Sequence, residues 1–160
     1  MQNNDLFSKL SAIALLVTVI AGCSKLTGKT ATEAVPKEQI DMDIATQKIP
    51  AAGGADWDFS KDSMRCFKVY DEKSTISDAE ATLFVSVAAA QGDMNAKLGT
   101  GVTLDTLFGG LRISYKKKGD NWVLDKVTPD QLSRKRLGEA DLSTFFNIAA
   151  PLCSYYEKKK

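Results

Sequence analysis

The stretch LRISYKKKGDNWVLDKV, residues 111–127, decides the fold of this chain. Leu111, Ile113 and Tyr115 alternate with polar residues, and residues 122–127 form the return strand after a segment that carries Gly119 and Asp120. Successive side chains of a strand point to opposite faces of a sheet, so a period of two predicts strands, and the short polar segment predicts a turn. The stretch is therefore a β-hairpin, and the chain contains an antiparallel sheet.

Two further strands precede the hairpin. Residues 64–70 form a plausible strand, and residues 79–89 form a clearer one, with five apolar side chains on one face: Ala81, Leu83, Val85, Val87 and Ala89. Residues 71–78 are predicted to be the connecting turn, and residues 91–103, with Gly92, Gly99 and Gly101, a longer loop. The sheet therefore has about four strands.

Helices are predicted at both ends of this sheet. Pro36 suits the first turn of a helix that runs to about Lys48 and buries Ile40 and Ile44. After the hairpin, Thr128, followed by Pro129 and Gln131, has the pattern of a capped helix start. Gly138 ends or bends that helix.

Beyond Gly138, six residues trace one further helical face: Leu142, Phe145, Phe146, Ala149, Cys153 and Tyr156. Pro151 predicts a kink or a second start there. The order indicates the α+β class, with an N-terminal helix, an antiparallel sheet of about four strands and C-terminal helices packed on the sheet. Over residues 36–127, the helix placement and the tryptophan-containing hairpin are similar to cystatin-like and NTF2-like small domains.

The N-terminus carries the most specific pattern in the chain. Residues 10–21 hold no charge, and the run is too short to span a bilayer but suits the apolar part of a secretory signal. Ile20-Ala21-Gly22-Cys23 then resembles the lipobox of bacterial lipoproteins. The resemblance implies cleavage between Gly22 and Cys23, a diacylglycerol on the Cys23 sulfur and acyl chains such as palmitate. The alternative is a buried helix with a chance cysteine.

These patterns divide the chain into three parts. Residues 1–22 are a cleaved signal peptide, residues 23–35 a lipidated N-terminus and flexible tether, and residues 36–160 a single periplasmic α+β domain. Ser24, by the same resemblance, implies attachment to the outer membrane, facing the periplasm. Placement in the inner membrane or at the cell surface stays open.

The other two cysteines are predicted to pair. With Cys23 bearing lipid, Cys66 and Cys153 remain, and two cysteines in an exported chain are read most simply as one disulfide in an oxidising compartment. The alternative is two buried free thiols.

Composition excludes several kinds of chemistry. The chain has no histidine, which removes the Ser-His-Asp and Cys-His arrangements and the commonest zinc ligand. A net charge of +1 argues against a nucleic-acid partner. The oxygen donors Asp56, Asp58, Ser60 and Asp62 start like a calcium loop, but Lys61 and Phe67 occupy its glycine and glutamate positions. We expect no metal, no cofactor and no catalytic residue.

Other charged and glycine-rich segments have ordinary structural interpretations. The carboxylate pairs Asp78/Glu80 and Glu139/Asp141 have no partner tied by spacing, and the second pair suits a helix start. Gly99-x-Gly101 and Gly109-Gly110 are predicted turns. Three basic clusters, Lys116–Lys118, Arg134–Arg136 and Lys158–Lys160, are expected at a hairpin tip, on a helix face and at the terminus, with anionic lipid or an acidic partner as the alternative.

Three functions stay open. The first is a non-catalytic binding or assembly module that is held at the membrane by its N-terminal lipid and contacts an envelope protein. The second is a carrier of a small apolar or lipid ligand in a pocket between sheet and helix, lined by Leu83, Val85, Phe145 and Phe146. The third, ranked last, is an inhibitor of a periplasmic enzyme. The oligomeric state is left undecided.

Overall fold

The computed structural model describes residues 28–93, 101 and 103–153. The predicted signal peptide, the lipidation site Cys23, Tyr156 and Lys158–Lys160 lie outside these residues. The helices and strands are, in chain order, α1 (Ala31–Ala34), α2 (Lys37–Ala45), β1 (Lys48–Ile49), β2 (Trp57–Asp58), β3 (Met64–Ile76), β4 (Glu80–Gln91), β5 (Thr103–Lys118), β6 (Asn121–Gly138) and α3 (Leu142–Cys153).

The main sheet is an antiparallel meander in the order β3-β4-β5-β6. This arrangement, with the helix α3 after it, confirms the α+β class and the four antiparallel strands. The hairpin is confirmed as well, with Ile113 opposite Val127. Strand β3 continues through most of the predicted turn at 71–78, and the chain reverses at residues 77–79, where the Ser77 hydroxyl accepts hydrogen bonds from the backbone N–H groups of Ala79 and Glu80.

The helix predicted from Thr128 is wrong. Residues 121–138 form one continuous strand, in which Thr128 pairs with Arg112 and Pro129 with Leu111. β6 is the edge strand, where a proline is tolerated because its missing N–H need not cost a ladder hydrogen bond. The long partner β5 thus overrides the local capping pattern. Arg134–Arg136 lie on this strand, not on a helix, and Gly138 is its last residue.

One face of the sheet is buried along the strands, and we call it the covered face. Its apolar residues belong to the main core: Ala81, Leu83, Val85, Val87, Ala89, Leu107, Leu111, Ile113 and Tyr115. Ile40 and Ile44 of α2 and the aromatic pair Trp57 and Phe59 pack in the same core. Their burial confirms the predicted apolar faces of α2 and of β4.

The folded domain begins earlier than predicted. Thr30 caps α1 by accepting from the Glu33 N–H, and the Glu33 carboxylate accepts in turn from the Thr30 N–H. Ala31 and Val35, which the sequence analysis placed in a flexible tether, are fully buried in the main core. The predicted boundary at residue 36 is therefore too late, because a capping box and two small apolar side chains already start the fold.

The opposite face of the sheet, which we call the second face, is covered at one end by α3. Leu142, Phe145 and Ala149 are buried against Ala88, Ala90, Leu104 and Leu137. α3 is a single helix with Pro151 inside it, preceded by a 3₁₀ turn at Glu139–Asp141 that confirms the predicted acidic helix start. Phe146, predicted on the buried face, is 42% exposed.

The predicted disulfide is confirmed. Cys153, at the end of α3, is bonded to Cys66 of β3, and their Cα atoms lie 4.7 Å apart. The bond ties the C-terminal end of α3 to β3, which is the edge strand on the other side of the sheet from β6. Within the described residues, no helix is both long and apolar enough to cross a membrane.

Candidate binding groove

Beyond α3 the second face carries a groove of about 620 Å³. Side chains on this face stand in rows across the paired strands, such as Lys68, Ser86, Gly110 and Asp130, then Tyr70, Phe84, Arg112 and Thr128. Ile148 and Leu152 of α3 form the wall of the groove on the side next to that helix. Among the described residues, the groove is therefore the part of the second face that α3 does not cover.

Two aromatic rings form the floor of the groove. A Cβ atom at Gly110 would lie 3.1 Å from Phe84 Cζ and 3.0 Å from the Asp130 carbonyl oxygen. Glycine at this position therefore lets the Phe84 ring lie close over β5. Tyr70 packs edge-on against Phe84, with ring centres 6.0 Å apart. The absent side chain and the paired rings together give the face its shallow depression.

Three cations surround this aromatic floor. Lys73 Nζ lies 5.1 Å from the Tyr70 ring centre and 4.8 Å from that of Phe84. Lys68 Nζ lies 5.0 Å from the Tyr70 ring, and Arg112 Cζ lies 5.5 Å from the Phe84 ring. Cations at such distances are attracted by the negative face of a ring. Lys73 and Arg112 line the groove, and Lys68 lies next to it through its contact with Tyr70. The rings position these cations without neutralising their charge.

The end of the groove next to α3 is apolar. Phe108 packs on the buried Phe145 ring at 5.2 Å between centres and also lines the groove. Ile148 is 48% exposed there, although it is a large apolar side chain. The groove consequently has an apolar end against α3 and a cationic end toward Lys73 and Arg112.

A β-bulge shapes the far rim. Phe108 pairs with Ser133 and Gly110 with Asp130, so β6 has one extra residue opposite Gly109. The extra residue is accommodated by the positive φ of Gln131, 59°, and Gly109 opposite it has φ 146°. A Cβ at Gly109 would lie 2.5 Å from the Gln131 carbonyl oxygen, so only glycine fits without a shift. The turn predicted at Gly109-Gly110 is therefore wrong, and these glycines serve the middle of a strand.

Two of the three carboxylates that start like a calcium loop, Asp58 and Asp62, accept hydrogen bonds from protein donors. The Asp58 carboxylate accepts from the backbone N–H and the hydroxyl of Ser60. Asp62 accepts from Trp57 Nε1 at 2.9 Å and pairs with Arg65 Nη1 at 3.0 Å. Within the part of the chain that the structure describes, no three acidic, histidine or cysteine side chains are grouped to hold a metal ion.

Asp62 belongs to a polar cluster that joins several elements. Arg65 Nε also bonds Asp41 of α2 at 2.9 Å, and Gln91 of β4 donates to Asp62 at 3.3 Å. Burial raises the pKa of Asp62 to about 6, although Gln91, Arg65 and Trp57 act in the opposite direction. The cluster is structural, since its hydrogen-bonding groups are turned toward one another.

The remaining predicted residues are dispersed. Asp78 and Glu80 are exposed at the β3–β4 turn, and Lys116–Lys118 are exposed at the hairpin tip, as predicted. The pocket predicted between Leu83, Val85, Phe145 and Phe146 does not form. Leu83 and Val85 lie in the core of the covered face, whereas Phe145, a residue of α3, packs against the second face.

The groove residues were missed by sequence reasoning. Lys68, Tyr70 and Lys73 come from β3, Phe84 from β4 and Arg112 from β5, so only the strand register brings them together. One signal was available. Phe84 stands between Thr82 and Ser86 on the polar side of an alternating strand, and an aromatic residue there indicates a use other than the main core.

Comparison with protein-family models, with curated proteins and with solved structures finds no significant match to this chain. The similarity to cystatin-like and NTF2-like domains and the lipoprotein resemblance therefore stay predictions. Function has to be argued from the groove and from the N-terminal pattern.

Proposed function

We propose that this protein is a lipid-anchored envelope lipoprotein that holds a partner protein in its groove and catalyses no reaction. It is attached to the outer membrane through Cys23 and faces the periplasm. The observation that carries the proposal is the half-covered second face, where aromatic and apolar side chains line a groove of about 620 Å³. A sheet face that leaves such residues in contact with solvent is typical of an interaction site.

The position of the first helix supports a short attachment. The Ala31 N–H donates to Asp71 of β3 at 2.7 Å, so the domain is anchored to its own sheet from that residue onward. Seven residues separate Cys23 from Ala31. At 3.3 to 3.6 Å per extended residue, the eight steps from Cys23 to Ala31 reach at most about 29 Å. A lipidated Cys23 would therefore keep the groove close to the membrane surface, within reach of membrane-associated partners.

The chemistry of the groove supports recognition. Among the described residues that line it, the charged groups are cations beside aromatic rings and one carboxylate, Asp130, whose Oδ2 lies 3.3 Å from Arg112 Nη2. These groups offer charge, hydrogen bonds and stacking to a ligand. A nucleophile paired with a base, which group-transfer chemistry would need, is not part of the set.

The carrier hypothesis has one observation in its favour. The volume of the groove falls in the range of small-molecule sites, about 300–1,000 Å³. However, the groove is an open cleft on the sheet surface, and Ile148 at its wall is 48% exposed. Enclosure of most of an apolar ligand, which such sites usually provide, is not supported by this shape.

Lipidation is tested by Cys23→Ala in the full chain. We expect wild type to fractionate with membranes and to carry the mass of a diacylglycerol after loss of residues 1–22. The variant should keep its signal peptide or leave the membrane fraction. Unchanged fractionation and unchanged mass would contradict the lipid anchor.

Partner binding is tested by a photo-crosslinking residue at Ser114, on the open part of the second face, with Ser60, on a distant exposed turn, as the matched control. In native envelopes we expect Ser114 to give a discrete adduct with one protein, and Ser60 to give none. An adduct of lipid mass at Ser114 would favour the carrier, and no adduct at either position would contradict both functions.

A further inference from the structure

We infer that the groove recognises an acidic segment of a partner protein, with an apolar side chain of that segment seated against α3. The inference rests on the proposed function and adds the chemistry of the partner. It is carried by the juxtaposition of unneutralised cations, an aromatic floor and an exposed apolar wall on one face.

The open part of the second face is more cationic than the chain as a whole, whose net charge is +1. Its charged residues are the cations Lys68, Lys73, Arg112, Lys116 and Lys126 and the carboxylates Glu80, Asp125 and Asp130. Two ion pairs, Arg112–Asp130 and Lys116–Asp125, use two of the three carboxylates, and the third, Glu80, lies opposite Lys116. In the described ranges, no ion pair joins Lys68 or Lys73 to a carboxylate. Positive charge is therefore left over at the groove.

The two unpaired lysines stand where a ligand would pass. Both ammonium groups lie about 5 Å from the Tyr70 ring centre, and Lys73 also lies 4.8 Å from the Phe84 ring. Ring contact places each ammonium group but leaves its donors available to a carboxylate. Hydrogen bonds between an ammonium and a carboxylate are shorter and stronger than neutral ones. An acidic side chain above Tyr70 would be favoured by both lysines.

The apolar wall sets the second requirement. Ile148 and Leu152 line the groove on the side of α3, with Phe108 at the base. An aliphatic or aromatic side chain placed there would bury Ile148, which is 48% exposed. The ligand therefore needs an apolar group at one end and negative charge at the other.

A polypeptide fits this pattern better than a lipid does. Polar groups of Ser86, Gln131 and Asp130 line the groove between its apolar and cationic ends. An acyl chain would cover these groups and remove their hydrogen bonds to water, and it has no polar atoms that could form new ones. A peptide supplies backbone N–H and C=O groups for that stretch. It also supplies alternating apolar and acidic side chains at the spacing of the sheet rows.

The test is selection from a random twelve-residue peptide library on the full-length, processed protein in detergent. We expect enriched peptides to be acidic and to contain at least one aromatic or aliphatic residue. Their affinity should fall about tenfold in the double variant Lys73→Gln/Arg112→Gln, and also when salt is raised, because charge pairs at an exposed groove are screened. The control Lys48→Gln/Lys118→Gln removes the same charge outside the groove and should bind like wild type.

Three results would overturn the inference. Enrichment of basic or uncharged peptides would do so, as would acidic peptides that bind the groove variant as well as wild type. Binding of laurate or of phosphatidylglycerol vesicles that depends on Lys73 and Arg112, without any peptide enrichment, would identify an anionic lipid.

Urea midpoints equal to wild type show that the variants are folded. If the Ser114 crosslinker still gives a protein adduct, the proposed function stands and only the acidic chemistry fails.

Discussion

The two faces of the β3–β6 sheet are made from the same strands but are used in different ways. On β4, Leu83 and Val85 are fully buried on the covered face, whereas the intervening Phe84 and Ser86 line an open groove on the second face. In the part of the chain that the structure describes, the covered face packs against α1, α2 and the β1–β2 pair, and the second face packs against α3. Burial is therefore concentrated on one face, which leaves the other face available to carry a site.

The largest expected effect comes from detaching α3 from the second face. The variant Cys66→Ala/Cys153→Ala removes a bond between residues 87 positions apart. In the chain-entropy model a loop of this size contributes about 4 kcal/mol to the free energy of unfolding. We expect a loss of that order in urea denaturation.

Reduction of the wild-type protein should give a similar loss and a mass increase of two hydrogens. An unchanged urea midpoint after reduction would mean that the apolar contacts of Leu142, Phe145 and Ala149 hold α3 without the bond.

The second prediction compares adjacent residues of β4. Leu83→Ala leaves a cavity in the main core and should lower the free energy of unfolding by about 3 kcal/mol. Phe84→Ala removes a partly buried ring and should cost about 1 kcal/mol. Urea denaturation of both variants measures the difference between the faces directly. Equal losses would contradict the idea that the second face contributes less to stability.

The sequence predicted those parts of the fold in which one strand's pattern suffices. The alternation at Leu111, Ile113 and Tyr115 identified the hairpin, and the apolar face of β4 was assigned correctly. The cysteine pair was predicted because only two cysteines remained after Cys23. In each case the deciding information is local or a matter of counting.

The errors arise where a partner strand decides. Thr128, Pro129 and Gln131 carry helix-start signals, but pairing with the 16-residue strand β5 and the bulge opposite Gly109 outweigh them. The groove was missed for the same reason. Tyr70, Phe84 and Arg112 form a row only through the register of three strands, and no spacing within the sequence encodes that register.

The third prediction concerns the bulge that shapes the groove rim. Gly109→Ala places a Cβ 2.5 Å from the Gln131 carbonyl oxygen at φ 146° and should cost about 2 kcal/mol. Gly119→Ala is the matched control, since Gly119 also has positive φ, 62°, but no atom lies within 4 Å of an added Cβ. It should cost about 1 kcal/mol. If both variants lose the same stability, backbone strain alone explains the glycines, and the close approach of β6 is not needed.

The fourth prediction separates the polar cluster beneath the covered face from the exposed charges of the second face. Burial raises the pKa of Asp62 from 3.8 to about 6. Between these values the folded state binds a proton that the unfolded chain has released, so the free energy of unfolding falls as the pH rises and levels off above about 6. The contribution is on the order of 2 kcal/mol.

Asp62→Asn should remove this part of the pH dependence, because an amide keeps the shape of the protonated acid without titrating. Asp120→Asn, at the exposed β5–β6 turn, removes a charge without affecting the cluster and should retain the wild-type slope. Urea midpoints measured from pH 4 to pH 7 give all three slopes. If the Asp62→Asn slope equals that of wild type, Arg65 holds the Asp62 carboxylate charged throughout, and the cluster is an ion pair at every pH in the range.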